Sequence, residues 1–391
     1  MKYIEERASA INPLSDYEEL LKSKKKLRVK LGVDPTAPDV TLGWYAILRA
    51  LRKFQEYGHT AVLILGEFTA QVGDPSGKSE TRTVLNENEI SANSKGVLPT
   101  IESILHKDNL EIVSNKDWLS KLSISDMMNL ASSTTLAQML EREDFSNRFE
   151  KNNPISLLEF FYPLFQGYDS VAVQADIEIG GNDQLWNLML GREIQKYYNL
   201  KPKVAVTFPL LVGTDGKKKM SQSLGNYISV SDTPENIYGK IMSIPDEVMW
   251  DYFVMLSDLD LKEINETKEL VSADKMNPFE LKKSLGKIVT NEIYNEEESE
   301  KAEESFNNLT IKKNIPDDIA ETSIEEGEVH IPNLLTDNQI TSSNSEARRI
   351  ITSGGFKIND IKYTELDVSS KELIESTLQI GKRKFLRIIK K

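Results

Sequence analysis

Three consecutive lysines between glycines stand out in LLVGTDGKKKMSQSLGNYI, residues 210–228. Gly213, Gly216 and Gly225 give this stretch hinges, and Lys217, Lys218 and Lys219 give it charge. A hinged cationic loop suits closure over a polyphosphate, although an exposed turn has the same composition. A second cationic stretch, GDPSGKSETR at residues 73–82, displays Asp74 on a turn and then carries Lys78 and Arg82. It lacks the Walker spacing, so a P-loop is not implied, and its two cations suit a clamp on pyrophosphate or an ordinary loop. A third stretch, LGVDPTAPDVTLGW at residues 31–44, reads as a strand, a turn and a helix start. Thr36, Thr41 and the free N–H groups of that helix start suit an anion.

The fourth stretch concerns recognition rather than charge. In FFYPLFQGYDS, residues 160–170, helical periodicity puts Tyr162, Gln166 and Asp169 on one face among Phe160, Phe161, Leu164, Phe165 and Tyr168. Polar groups embedded in apolar surroundings need partners, either within the fold or on a ligand. A phenol, an amide and a carboxylate together suit an amino acid's ammonium and a polar side chain. IEIGGNDQ at residues 177–184 follows closely and adds further polar groups.

These residues need rigid elements behind them. RVKLGV (28–33) and TAVLILG (60–66) are short β-branched runs of the type found in buried parallel strands. Between them, Trp44, Ile47, Leu48, Leu51 and Phe54 recur at helical spacing, and Gly58 stands where that helix should end. Strand, helix and strand in succession form a right-handed βαβ unit, whose ligands bind at the strand C-termini. Residues 124–170 read as mostly helical, VAVQADIEI at 171–179 as a strand, and 182–198 as a helix. Residues 230–325 read as helical and acidic, and the stretch between Pro316 and Pro332 as a linker.

Composition narrows the function classes. With 391 residues the chain is long enough for two to three domains. There is no cysteine and there are only three histidines, His59, His106 and His330, which excludes disulfides and thiolate metal sites and disfavours multi-histidine metal centres. No apolar run approaches the roughly 18 residues of a membrane span, and the N-terminal residues lack the order of a signal peptide, so a cytoplasmic location is expected. The formal net charge is −13, yet residues 331–391 hold eleven Lys+Arg against seven Asp+Glu, a local balance of +4. A basic end on an acidic body is a candidate contact for a polyanion.

Taken in order, these motifs resemble the class I aminoacyl-tRNA synthetases, and within them the bacterial tyrosyl-tRNA synthetases, over about residues 20–391. Residues 31–44 look like the HIGH region and KMSQS at 219–223 looks like the KMSKS loop. GDPSGK, the Tyr162/Gln166/Asp169 helix and GGNDQ are similar to that family's tyrosine-binding elements. PENIYGKIMSIPDEVMWDYF resembles its helical anticodon-side domain, and SSNSEARRIITSGGFKIND with GKRKF resembles an S4-type RNA-binding module. The S4-like tail favours tyrosine over tryptophan, and the variant of the family implied has Lys30, not a tyrosine, on the first strand.

The resemblance implies an α/β fold: a Rossmann-like parallel-sheet catalytic domain at 1–229 with a helical insertion at about 120–170. A helical domain at 230–325 and a linker with a small α+β S4-like domain at 326–391 would follow. It implies a tyrosine–tRNA ligase using ATP with Mg²⁺ bridging the phosphates, tRNA(Tyr) as partner, and a homodimer through the inserted helices. Asp169 would meet the phenol and Asp74, Tyr162 and Gln166 the ammonium, with Gly32 and Asp34 also on the tyrosine side. Gly43, Trp44, Gly181, Asp183, Gln184, Met220, Ser221 and Gln222 would line the nucleotide's pocket. Thr36, Thr41, Lys78, Arg82 and Lys219 would surround the phosphates, and no protein metal ligand is implied. Two departures stand out. Thr41-Leu42-Gly43-Trp44 carries neither HIGH histidine, and Gln222 replaces the second KMSKS lysine. Thr41, Lys217 and Lys218 are then the nearest replacements. The alternative is an impaired homologue acting as an RNA-binding protein, which would have no use for Asp74, Tyr162, Gln166, Asp169 and Gln184 as a set.

Overall fold

The computed structural model describes residues 1–76, 85–314, 319–325, 327–359, 361–381 and 384–389, with the backbone alone over 309–314. They fall into two compact units, residues 1–300 and 301–391.

The first unit is built on a six-stranded sheet: β1 (Ala10–Asn12), β2 (Arg28–Val33), β3 (Thr60–Leu65), β4 (Leu110–Ser114), β5 (Ile177–Gly181) and β6 (Val204–Phe208). The order is β1-β6-β5-β2-β3-β4, parallel throughout except for β1, which runs antiparallel to β6. Every residue of β3, β5 and β6 is buried, as expected for parallel strands covered on both faces. The chain winds from β2 to β3 and β4 on one side and returns to β5 and β6 on the other. β2 and β5 therefore flank the topological switch point. They pair only at Val29↔Ile177 and Lys30↔Glu178, whereas β5 and β6 stay paired as far as Gly181↔Phe208. Beyond Lys30 and Glu178 the two strands part, and a crevice opens at their carboxyl ends.

The helix Leu42–Glu56 joins β2 to β3. Thr41 caps it, its hydroxyl accepting the Trp44 N–H at 3.3 Å, and Gly58 leaves it at φ +89°. Arg49 on this helix is buried yet paired, with Asp258 at 2.8 Å and Glu292 at 2.7 Å. Those carboxylates come from the helical stretch after residue 230, whose Ile237, Ile241, Tyr252 and Leu285 share one continuous core with the sheet and the Leu42–Glu56 helix. Up to residue 293 this stretch is therefore part of the first unit's core.

Between β4 and β5 the insertion is helical, at Ile124–Ala131, Leu136–Met139, Glu143–Glu150 and Leu157–Ala172. The last of these packs on the helix Leu185–Tyr197, where Gly167 faces Gly191. A Cβ on Gly167 would sit 2.4 Å from Ile194 Cδ1 and 3.2 Å from Gly191 Cα, so a larger residue here would require Ile194 to move and the two helices to give slightly. The strand expected over 171–179 starts later. The helix continues to Ala172, the chain turns through Gln174 at φ +50°, and β5 starts at Ile177. Alternating apolar residues in VAVQAD misled the reading, because Val171 and Val173 lie at the helix end.

The second unit has a five-stranded sheet in the order Ile361–Lys362, Phe356–Ile358, Thr377–Ile380, Lys384–Ile389, Ala320–Ser323. The helices Ile331–Asp337 and Asn344–Thr352 contribute Ile331, Leu335, Ala347 and Ile351 to its own core with Phe356, Leu378, Leu386 and Ile388. The stretch read as a linker is structural. Ala320–Ser323 pairs parallel with Lys384–Ile389, and Glu328–His330 pairs with Asp367–Ser369. Its acidic, Pro-flanked composition fits edge strands with one solvated side. No described helix is long and apolar enough to cross a membrane.

Candidate active site

A cavity of about 740 Å³ occupies the crevice between β2 and β5. Of the residues singled out from the sequence, Gly32, Asp34, Thr36, Thr41, Gly43, Trp44, Asp74, Tyr162, Gln166, Asp169, Gly181, Asp183, Gln184, Lys219, Met220, Ser221 and Gln222 all line it. Lys78 and Arg82 lie outside the described residues.

One part of the lining is a closed hydrogen-bond network. Asp34 follows β2; one of its oxygens accepts the Tyr162 hydroxyl at 2.9 Å and the other the Thr69 hydroxyl at 2.8 Å. Thr69 in turn accepts from Asn115 Nδ2 at 3.0 Å, and the same amide nitrogen donates to Asp169 at 3.3 Å. The second Asp169 oxygen accepts the Trp118 indole N–H at 2.8 Å. Gly66 leaves room for this arrangement, since a Cβ there would lie 2.0 Å from the Asp34 carboxylate. Burial pushes Asp169 up to about 6, against the pull of the Lys30 ammonium and the Trp118 and Asn115 donors. Burial and the Asp34 and Asp74 carboxylates push the Tyr162 phenol well above its ordinary range, so it remains a neutral donor.

A second chain of bonds fixes Asp74. Its carboxylate accepts the Ser76 N–H at 2.9 Å and Gln184 Nε2 at 2.8 Å. Gln184 Oε1 accepts from Asn187 at 3.1 Å, and Asn187 Oδ1 accepts from the buried Arg142 at 3.2 Å. Gln166 donates to Glu178 at 3.4 Å, while its own buried carbonyl oxygen has no hydrogen-bond partner among the described residues. An unsatisfied buried acceptor on the cavity wall is suited to a donor from a ligand.

The remaining lining is looser. The N-terminus of the Leu42–Glu56 helix opens on the cavity through Thr41, Gly43 and Trp44; the Leu42 N–H is bonded to the Ile228 main-chain oxygen and the Trp44 N–H to the Thr41 hydroxyl, so what it offers an anion is chiefly the positive end of the helix dipole. The exposed Lys219 ammonium rests on the partly buried Asp183 at 2.7 Å. Gln222 Nε2 donates to the Asp39 main-chain oxygen at 2.6 Å, and the Asp39 carboxylate accepts the Ser229 hydroxyl at 2.6 Å. Asn226 ties the loop to itself, accepting the Ser221 N–H at 2.9 Å and donating to Asp215 at 3.0 Å. Sequence reasoning missed Thr69, Asn115, Trp118 and Asn187, which lie outside the motifs, and Asp39, which lies within residues 31–44 but carried no signal of its own. Glu178 carried a signal, since a charge amid the buried run IEIGG demands a partner.

Two family models match the chain. Residues 22–310 match the class I tRNA synthetases (W and Y), and residues 310–388 match the tyrosine–tRNA ligase SYY-like C-terminal domain. A tyrosine–tRNA ligase of Carboxydothermus hydrogenoformans is 43% identical, covering 100% of this chain and 97% of its own length. One from Haemophilus influenzae is 46% identical, covering 96% and 92%. The chain belongs to the class I tyrosine–tRNA ligases. The fold agrees with solved members: a C-terminally truncated mitochondrial tyrosyl-tRNA synthetase of Aspergillus nidulans superposes with a TM-score of 0.64 at 21% identity, over 79% of this chain and 93% of that one. The Archaeoglobus fulgidus enzyme, crystallised with L-tyrosine, gives 0.60 at 23% identity, over 76% and 96%.

Proposed function

We propose that this chain activates tyrosine with ATP and transfers the tyrosyl group to tRNA(Tyr), each lining group having a definite task. The observation that carries this reading is the cavity at the β2/β5 switch point, in which a fixed carboxylate, Asp169, and an unsatisfied amide oxygen, on Gln166, face the same space. Asp169 accepts the phenol hydroxyl of tyrosine. Gln166, Asp74 and Tyr162 receive the ammonium, and Asp34 holds Tyr162 in place.

The tyrosine carboxylate is ionised at neutral pH and needs no general base. One of its oxygens attacks the α-phosphorus of ATP, the bond to the β-phosphate oxygen breaks, and pyrophosphate leaves with the electron pair. A terminal ribose hydroxyl of the tRNA then attacks the acyl carbon and AMP leaves. Both steps depend on positioning and on stabilising the charge that develops. Gly43, Trp44, Gly181, Asp183 and Gln184 hold the nucleoside. Thr41, the helix N-terminus, Lys219 and, from outside the described residues, Lys78 and Arg82 meet the phosphates. Lys219 must leave Asp183 to do so. Mg²⁺ would come bound to the triphosphate and offset part of its charge, with no protein ligand proposed for it.

The second unit binds the tRNA through its basic residues. Two copies associate through the insertion, where Ile124, Met128, Leu136, Phe149 and Leu157 are 62–82% exposed, an apolar surface that a second subunit would cover. The location is cytoplasmic. Tyrosine-dependent ATP–pyrophosphate exchange on the purified protein tests the reading. Exchange above the phenylalanine background supports it. RNA binding without any exchange would favour an impaired homologue. Deleting residues 315–391 should spare exchange, abolish tRNA charging and flatten the salt dependence of tRNA binding.

A further inference from the structure

Behind the tyrosine side of the cavity lies a knot of charge that none of these steps uses. Lys30 on β2, Glu178 on β5, Lys203 just before β6 and Ser170 on the Leu157–Ala172 helix are all 0–1% exposed. The Lys30 ammonium lies 3.0 Å from one Glu178 oxygen, and Lys203 is ion-paired to the other. The Ser170 hydroxyl accepts from Lys30 at 2.8 Å and from Lys203 at 2.7 Å, and donates to Glu178 at 2.8 Å. Lys30 also donates at 2.8 Å to the main-chain oxygen of Gln166, so its three N–H bonds are all directed.

Two buried ammonium groups face a single glutamate in this knot. Taking ions out of water is costly, and apolar residues of similar volume would stabilise the fold as well or better. The fourth charge in the region is Asp169, one position before Ser170 and three after Gln166, which completes the balance of two cations against two anions. Glu178 lines the cavity with Gln166 and Asp169, whereas Lys30 and Lys203 do not.

We propose that Lys30 is a positioning residue for tyrosine selectivity, clamping the Gln166–Ser170 turn to β2 and supplying the positive charge behind Asp169 without touching the substrate. This rests on the reading in which Asp169 accepts the phenol. The groups facing Asp169 are Trp118 and Asn115 after β4, Lys30 on β2, Glu178 on β5, Lys203 just before β6 and Tyr162 on its own helix. Among them Lys30 is the main influence holding its carboxyl ionised against burial. Lys203 shares Glu178 and Ser170 but does not reach Gln166, which makes it the natural control.

The test compares Lys30→Met, Lys30→Gln and Lys203→Met with the parent in tyrosine and phenylalanine binding by calorimetry, pyrophosphate exchange against pH, and Tm. Lys30→Met should lower the tyrosine-over-phenylalanine ratio by roughly tenfold or more and move the acid limb about one pH unit upward. KM for tyrosine should rise while KM for ATP stays put. Lys30→Gln keeps a donor to Gln166 and loses the charge, so it should show the moved limb even where Lys30→Met folds poorly. Lys203→Met should lower Tm and leave the ratio within about twofold. An unchanged ratio and limb in both folded Lys30 variants overturn the proposal, as does an equal loss of ratio in Lys203→Met, which would make the knot structural only. A parent with no preference for tyrosine would instead remove the reading beneath it.

Discussion

Around Asp34, Tyr162, Thr69, Asn115, Asp169 and Trp118, the carboxylate oxygens of Asp34 and Asp169 already have protein donors before any ligand is present. Around Thr41, Asp183, Lys219 and Gln222, the exposed cation lies on a neighbouring carboxylate and Gln222 joins the loop to the Asp39 main chain through a single neutral bond. The first group is rooted in β2, a long helix and the start of the insertion; the second lies on a glycine-hinged loop. The difference follows from the two tasks. Telling a phenol from a phenyl ring requires groups that cannot relax when the hydroxyl is missing. Stabilising charge on a departing pyrophosphate requires groups that arrive with the nucleotide and release afterwards.

Breaking the rigid side should have the largest consequence. Asp169→Ala should remove most of the roughly 10⁴-fold preference for tyrosine over phenylalanine that a hydroxyl-reading site can reach, measured as the ratio of kcat/KM in pyrophosphate exchange. If the preference stays intact, another group reads the phenol. On the loop side, Lys219→Ala should slow adenylate formation by about 10²–10³ in single-turnover experiments. Lys217→Ala should do much less, because Lys217 does not line the cavity. Equal effects from the two would mean that the loop acts through its overall charge.

Acid sharpens the comparison. With Asp169 pushed up to about 6, the carboxyl is protonated below that pH and an ionised acceptor above it. kcat/KM for tyrosine should therefore fall about tenfold per pH unit below about 6, whereas ATP binding should change little. A tyrosine profile flat down to pH 5 would place the ionisation elsewhere. The smallest effects belong to Gln222. Gln222→Ala cuts the bond to the Asp39 carbonyl, worth about 1 kcal/mol, and should raise KM for ATP roughly fivefold. Gln222→Lys should speed adenylate formation more than it tightens ATP, because the added charge is felt mostly in the transition state. A slower Gln222→Lys protein would show that the loop is adapted to its neutral amide.

Most of the lining was legible because the chemistry concentrates in short segments. Gly, Asp and Thr after a β-branched strand, three lysines between glycines, and polar groups at i, i+4 and i+7 on an aromatic helix are local patterns, and their order along the chain resembles one family. β2, β3 and the Leu42–Glu56 helix were legible for the same reason, as buried parallel strands and amphipathic helices carry their period in the sequence. The end of the Leu157–Ala172 helix lies two residues past its expected place, because Val171 and Ala172 suit a strand locally yet continue the helix that packs on Leu185–Tyr197.

The residue types, the loop's charge and the missing histidines were determined by the sequence itself, since each is a property of a few neighbouring positions. Which carboxylate is held by which donor was decided by the tertiary structure alone. Asn115 and Trp118 reach Asp169 from more than fifty residues away, and Lys30, Glu178 and Lys203 meet only because β2, β5 and β6 lie side by side. Strand order brings those charges together, and burial makes them interact strongly through a medium that screens far less than water. Neither strand adjacency nor local dielectric is a function of nearby residues, so a lysine in RVKLGV and a glutamate in IEIGG read only as two charges in need of partners until the sheet puts one against the other.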